Sequence, residues 1–529
     1  MFLGGLGIVC ITYICLFTIA YAYNRPPYLD TGPRLVIIGW DGATWDLLDP
    51  LLVESKLPNL QRLMQSGARG VLESLEPMES PALWTSIATG LPQEKHGVTG
   101  FFATRADLTA PRVWDVAAAH GLRVGLYAWL ATWPVHDAFA FVIPSWMARS
   151  PETRPLDYAC VQELKLEQDR NGGPVHPFRA LWECALHGAR LRAFRQMAGF
   201  LARDQFGLPE EERFAAKMLS EVRLETDVFL ALLRRFTPDA ATFTLYGTDK
   251  LAHRYWHYME PQAFPGMEWP SNPKLKTAIR DYYQEADRAL GRIRDALPPS
   301  THFLLLSDHG MKADPAAPRQ FFVDVPCLLE ALNAASFFRH STIQRKIVLE
   351  PVIPDPTLTR TLLERLRRVH FPGSSDPVFE MELDDEGRIL LQTTFSLSWH
   401  AESPLLIHDT ILIEGQILPT RRIFFERTFS GAHDPHGIIV LVGPAITPGT
   451  TIQNVTLLDI APTMLYLLDL PISEELPGRI LLEAVSPSYR QAHAPRSTPA
   501  YPPLPAAGEK PEVDWEPFLE QLRGVGYVR

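Results

Sequence analysis

Three of the chain's apolar runs end on an acid, and two of those acids have a histidine close behind. "RLVIIGW" ends at Asp41, "ATFTLYGT" at Asp249 with His253 four residues on, and "THFLLLS" at Asp308 and His309. His433 stands just before a further run, "GIIVLVG". Carboxylate oxygens and imidazole nitrogens together are the donor set of zinc and similar divalent ions. Six such donors are too many for one tetrahedral ion and suit two, each keeping a position open. A lone acid–histidine pair reads as easily as a helix cap, and only the repetition of the pattern at strand ends argues for metal. Asp249 and His253 share one face if a helical turn starts there. Ser80, at the head of "PALWTSIATG", offers a hydroxyl that a cation and a helix N-terminus could activate as a nucleophile. Serine is equally a preferred helix N-cap, and local sequence does not separate the two readings.

Such donors need a scaffold that delivers strand ends to one edge. The apolar runs are continuous, as expected for strands covered on both faces. Between them lie helical stretches: "LPNLQRLMQSGA", ending near Gly67; "PALWTSIATG", opened by Pro81 and closed by Gly90; and "KLKTAIRDYYQEADRALGRIRDAL". This alternation predicts a doubly wound α/β domain with a largely parallel sheet, over residues 34–485. In open sheets of this kind, ligands gather outside the carboxyl ends of the strands. Two stretches, about 145–235 and about 335–430, break the alternation and read as insertions. Residues 486–515 are rich in Pro and Ala and read as an extended tail, followed by a short helix in "WEPFLEQLRGVGYVR".

The chain has 529 residues, 46% hydrophobic and 21% charged, with a net charge of −11. No basic face is concentrated enough to suggest a nucleic-acid polymer as partner. Of five cysteines, Cys160, Cys184 and Cys327 lie outside the N-terminus, with neither zinc-finger spacing nor the density of a disulfide scaffold. Residues 2–23 carry no charge. At about 1.5 Å per helical residue they can cross a hydrocarbon core of about 30 Å. "Ala20-Tyr21-Ala22" also fits a signal cleavage site. Residues 1–23 are therefore expected to be a transmembrane anchor or a signal segment, placing the catalytic domain outside the cytoplasm, membrane-anchored or exported.

In this order and spacing the motifs resemble the alkaline phosphatase superfamily, in particular its type I phosphodiesterase/nucleotide pyrophosphatase branch. "IIGWDG" resembles the first metal-binding strand, and "ESPALWTSIATGLPQEKHGV" the nucleophile helix, with Ser80 where many relatives have Thr. "YGTDKLAHRYW", "LLLSDHGM" and "SGAHDPHGIIVLVGP" are similar to the remaining ligand segments, and "DIAPTMLYLLDLP" to the closing helix. The resemblance implies that Asp249, His253 and His433 hold one divalent ion, and Asp41, Asp308, His309 and the Ser80 oxygen the other. Zinc is the expected metal, manganese the alternative. It also implies a phosphoric ester hydrolase, a phosphodiesterase or pyrophosphatase, acting through a phosphoseryl intermediate on a small-molecule or lipid-linked phosphate ester. The same site could hand the phosphoryl group to a lipid or glycan alcohol, and the fold could also serve as a non-catalytic binding domain.

One departure stands out. Relatives carry an Asn about twenty residues past the nucleophile that binds a phosphoryl oxygen, where this chain has Gly100 and Phe101. The sulfatase pattern is absent, because "SPALW" lacks its Pro and Arg in place. "LESLEPMESPALWTS" has no Lys or Arg, and Glu79 adjoins Ser80, which favours diesters over more highly charged monoesters. Trp84, Phe101 and "RYWHYM" are candidate apolar walls, and Lys250 and Lys95 candidate contacts to an anionic substrate, although solvated lysines are the expected state.

Overall fold

A computed structural model describes residues 29, 32–166, 175–265, 271–315, 319–343, 346–353, 355–384, 387–395 and 404–504, with 511, 515, 518 and 522. Eight strands form the central sheet: β1 (Leu35–Trp40), β2 (Gly67–Glu73), β3 (Val124–Tyr127), β4 (Phe141–Ile143), β5 (Ala240–Leu245), β6 (His302–Leu306), β7 (His436–Val442) and β8 (Thr450–Thr456). Their order is β8-β2-β7-β6-β1-β5-β3-β4. All neighbours run parallel except β7, which is antiparallel to both β2 and β6. The sheet is thus the expected α/β one, largely parallel. Every residue of β1, β5 and β6 is buried, which is why these runs read as continuous rather than alternating hydrophobics. Because β6, β1 and β5 are adjacent and parallel, Asp308, Asp41 and Asp249 leave the sheet at one edge.

Six helices frame the metal centre and the opposite edge of the sheet: α1 (Pro58–Gln65), α2 (Ser80–Thr89), α3 (Leu191–Gln205), α4 (Glu210–Phe236), α5 (Gly247–Met259) and α6 (Ala278–Ala296). In α2, Pro81 occupies the first turn, where no amide N–H is needed, and Gly90 closes the helix at φ +71°. All ten α2 residues are buried, so it packs on every side. The long helical stretch expected before β6 is interrupted at Thr277, where a short helix (Pro273–Lys276) gives way to α6.

The described residues fall into two compact units. The first comprises those up to Pro261, from Met267 to Ala313 and from Gly431 to Val513, and holds the whole central sheet. The second comprises Asp314–Ser430 with Gln262–Gly266 and Asp514–Arg529. It has its own core, including Leu328, Leu349, Leu366, Ile389 and Ile411, and a four-stranded antiparallel sheet of Phe338–Ile343, Lys346–Pro351, Phe379–Leu383 and Ile389–Thr393. It begins at Asp314, earlier than the expected boundary at about 335. The stretch 145–235 is mostly helical and belongs to the first unit.

The tail departs from expectation. Residues Pro487–Ala492 form a short helix with Ser486 as side-chain cap, and Ser497–Thr498 pair with Ile472–Ser473. The proline-rich composition hid these local bonds. The apolar 2–23 segment lies outside the described residues, as does most of the expected terminal helix. Among the described residues no helix is long and apolar enough to cross a membrane.

Candidate metal centre

The structure gathers the seven sequence candidates into one place, six of them in two trios of donors and Ser80 beside one trio. Asp41, Asp308 and His309 offer ligand atoms within 4.8 Å of one another, and so do Asp249, His253 and His433. Asp41 follows β1 directly, and Asp308 and His309 follow β6. Asp249 lies in the first turn of α5, with His253 one turn on, as their spacing requires. His433 comes from a short strand (Gly431–Asp434) paired antiparallel to Gly310–Ala313.

Two glycines make the approach close enough. At Gly42 the backbone turns with φ +65°, and a Cβ there would stand 2.9 Å from Asp249 Cβ. A Cβ on Gly431 would stand 2.3 Å from the Ala252 carbonyl oxygen. Without it, the Gly431 carbonyl reaches His253 Nδ1 at 2.9 Å.

That last contact belongs to a pattern. His309 Nδ1 lies 2.9 Å from the Gly310 carbonyl, and His433 Nδ1 2.9 Å from the Met78 carbonyl. A carbonyl oxygen can only accept, so each Nδ1 carries a proton, and Nε2 is the nitrogen left to meet a metal. The Nε2 atoms of His253 and His433 are 3.0 Å apart. Two imidazole nitrogens this close need a proton or a metal cation between them. Asp249 Oδ1 is 3.2 Å from His253 Nε2 and 3.6 Å from His433 Nε2. In the other trio His309 Nε2 is 3.5 Å from Asp41 Oδ1 and 3.6 Å from Asp308 Oδ2. Asp308 Oδ2 is buried and accepts no hydrogen bond.

The electrostatics point the same way. Asp41, Asp249 and Asp308 are all fully buried. Burial, with Asp308 and Asp249 nearby, lifts Asp41 well above the ordinary carboxylate range. Burial and Asp249 push Asp308 up to about 7. Burial also opposes ionisation of Asp249, but His253 and His433 outweigh it and hold that carboxyl well below its usual range. His309 is pushed down to about 3 by its burial and by His433. Three buried carboxyl groups crowd together here, and two of them are driven toward the neutral acid for want of positive charge. The residues fit two divalent cations, both in donor type and in unmet charge.

Ser80 faces this centre. The N-cap of α2 is Glu79, not Ser80. Ser80 Oγ lies 3.3 Å from His309 Nε2 and 3.5 Å from Asp41 Oδ1. The cap reading therefore gives way to a hydroxyl held between two candidate ligands at a helix N-terminus.

Several candidate pocket residues turn out otherwise. Trp84 is fully buried, donates from Nε1 to Asp41 Oδ2 at 3.1 Å and packs edge-on against Trp129. It orients a carboxylate and does not wall the pocket; an indole read as hydrophobic bulk gave no hint of its N–H. Tyr255 and Trp256 of "RYWHYM" are buried too, so that stretch is packing. Lys250 is not solvated: it is 5% exposed, with Nζ 3.7 Å over the Trp146 ring. Burial pushes it down to about 7. At Gly100, one of the two positions where the resemblance leads one to expect Asn, an added Cβ would meet Glu79 Oε2 at 3.3 Å. The space beside this glycine is thus shared with a carboxyl that burial lifts above its usual value.

Residues 35–332 match the family model for type I phosphodiesterase/nucleotide pyrophosphatase. No curated protein matches the chain. The matched span covers six of the seven candidates, and His433 lies beyond it.

Proposed function

The chain belongs to the type I phosphodiesterase/nucleotide pyrophosphatase family, metal-dependent hydrolases of the alkaline phosphatase superfamily, and on that premise we propose that it cleaves phosphoric diesters through Ser80. The observation that carries this reading is the placement of Ser80 Oγ between His309 and Asp41. In this proposal Asp249, His253 and His433 hold one divalent ion, and Asp41, Asp308, His309 and the Ser80 oxygen the other. Such ions, when bound, supply Lewis-acid polarisation of the phosphoryl oxygen and lower the pKa of the hydroxyl.

The chain's own groups do the rest. The Nδ1–carbonyl bonds fix three imidazoles, and Trp84 fixes Asp41, so the donors are arranged before substrate arrives. Ser80 Oγ attacks phosphorus in line, one ester oxygen leaves with its alcohol, and a phosphoseryl group forms that still carries the other ester. Water then attacks that group and returns the Ser80 hydroxyl. The N-terminus of α2 favours negative charge at Ser80 Oγ throughout.

Diesters are favoured over monoesters. Glu79 adjoins the nucleophile, and a carboxylate about 5 Å from an added substrate charge costs about 3 kcal/mol at an effective dielectric near 20. Lys250, which burial pushes down to about 7, is held against Trp146. An extracytoplasmic, anchored or exported enzyme is proposed on the strength of residues 2–23 alone. The test is acid quench of a turning-over reaction and mass spectrometry of the Ser80 peptide. A phosphoryl adduct that keeps the substrate's second ester group should appear there and vanish in Ser80→Ala, which should keep its metal. Full activity of that variant would mean direct attack by water. Comparing kcat/KM for an aryl phosphate and its aryl methyl phosphate tests the second part; a tenfold advantage for the monoester would make the enzyme a phosphatase.

A further inference from the structure

Away from the metal centre, the first unit contains an open cleft of about 780 Å³ between α3, α4, α6 and the start of α1. Six arginines line it: Arg190, Arg192, Arg195, Arg223, Arg288 and Arg292. Only three carboxylates do, Asp227, Glu285 and Asp295. The excess of three positive charges stands in a protein of net charge −11.

The carboxylates are already engaged. Glu285 takes Arg223 Nη2 at 2.8 Å and Arg288 Nη1 at 2.7 Å. Asp227 accepts from Arg292 and from the Arg190 amide. Asp295 pairs with Arg62 at 3.1 Å. Arg192 and Arg195, one turn apart on α3 and exposed, have no carboxylate partner among the described residues. Near Arg190 and Arg292, Arg234, which does not itself line the cleft, has Nε and Nη2 buried without a hydrogen-bond partner. Burial, with Arg190 and Arg292 close by, pushes Arg234 down to about 10. Structural ion pairing alone would match charges more evenly, and it leaves these guanidinium groups unexplained.

Guanidinium groups at this density suit phosphate, which they grip bidentately. The cleft shares no residue with the two trios. Its α6 residues lie in the turns leading to the start of β6, whereas Asp308 follows the end of β6. The cleft therefore belongs to the opposite edge of the sheet, roughly a strand length of ~17 Å away. Leu29, the first described residue, donates its N–H to Ala296 at 3.3 Å at this same edge.

We propose that this cleft is a second, non-catalytic anion site, binding a ligand with at least two phosphate charges, either a free diphosphate or a phosphomonoester lipid headgroup. Arg192 and Arg195 supply the unneutralised charge, and the arginines held by Glu285 and Asp227 form a rigid floor.

The experiment uses the full chain with its metals, and compares wild type with Arg192→Glu/Arg195→Glu. Both positions are exposed, and a matched thermal melt confirms that the variant is folded. In the first arm, inorganic pyrophosphate is titrated calorimetrically, while its competition with hydrolysis of an aryl diester reports separately on the metal centre. In the second arm, sedimentation with phosphatidylcholine vesicles, with and without phosphatidic acid, measures the increment due to the acidic lipid. The expected result is a pyrophosphate site beyond the competitive one, weakened about tenfold or more by charge reversal, or a phosphatidic acid increment lost in the variant. The first outcome identifies a soluble ligand and the second a headgroup. The competitive inhibition constant should stay within about twofold, because neither arginine touches the centre. Identical behaviour of wild type and variant in both arms overturns the proposal and leaves the reading of the metal centre intact.

Discussion

The two trios of donors are built from the same residue types but in different proportion and at different depth. Asp41, Asp308 and His309 combine two carboxylates with one imidazole, and their side chains are at most 1% exposed. Asp249, His253 and His433 combine one carboxylate with two imidazoles, and His253 and His433 reach 9% and 17%. The first trio holds more carboxyl groups in a drier place and adjoins Ser80, the proposed nucleophile. The second is less charged and opens toward solvent. An ion in the first should be held tightly and tuned to Ser80, and one in the second should exchange more readily and meet the leaving group.

The sharpest way to break this contrast is Asp308→Ala. It removes a buried donor whose Oδ2 has no hydrogen-bonding role, so about 10³-fold or more of the rate should go, roughly 4 kcal/mol. One equivalent of metal should be lost by elemental analysis, with the fold retained. Full activity with two equivalents bound would dissolve the distinction. His433→Ala should do less, about 10–100-fold, and excess metal in the assay should restore part of the rate. If Asp308→Ala is rescued as easily as His433→Ala, depth is not what separates the trios.

The pH dependence sharpens the comparison further. In the metal-free centre Asp308 keeps its proton up to about pH 7, whereas Asp249 is ionised far below that. An ion entering the first trio must displace the Asp308 proton. With the Asp41 carboxyl raised as well, its apparent affinity should fall at least tenfold per pH unit below about 7. At the second trio Asp249 carries no proton to displace near neutrality, so its carboxylate adds nothing to the slope there. Metal titrations at several pH values, read by calorimetry, check this; parallel slopes at both sites would count against it. The smallest effect is expected from Lys250→Met. Loss of that buried charge should leave diester turnover within about threefold and lower monoester turnover more, since the added substrate charge feels it most. Equal losses on both would show that the lysine supports packing against Trp146 rather than charge.

The donors were legible because an acid after a buried apolar run has few ordinary reasons to be there. Asp41, Asp249 and Asp308 stand out for that reason, and so does the parallel sheet that gathers them. Trp84 was not legible, because its Nε1 contact to Asp41 depends on a rotamer and not on spacing. The arginine cleft is assembled from positions as far apart as 190 and 292 on three helices, and each arginine alone reads as a solvated charge. The early start of the second unit at Asp314 was hidden because Gly310–Ala313 looks like the continuation of the β6 loop. It is in fact half of a ribbon whose other half is Gly431–Asp434.

That ribbon also sets what this enzyme can change without losing its chemistry. The chain leaves at Ala313 and returns at Gly431, and these two residues are paired across the ribbon, about 5 Å apart. Asp308 and His309 lie just before the departure and His433 just after the return. Whatever grows, shrinks or is exchanged between those points, the donors on either side stay clasped in register. Lineages could therefore replace the whole intervening unit, as one changes a tool head on a fixed handle, while inheriting the metal centre unaltered.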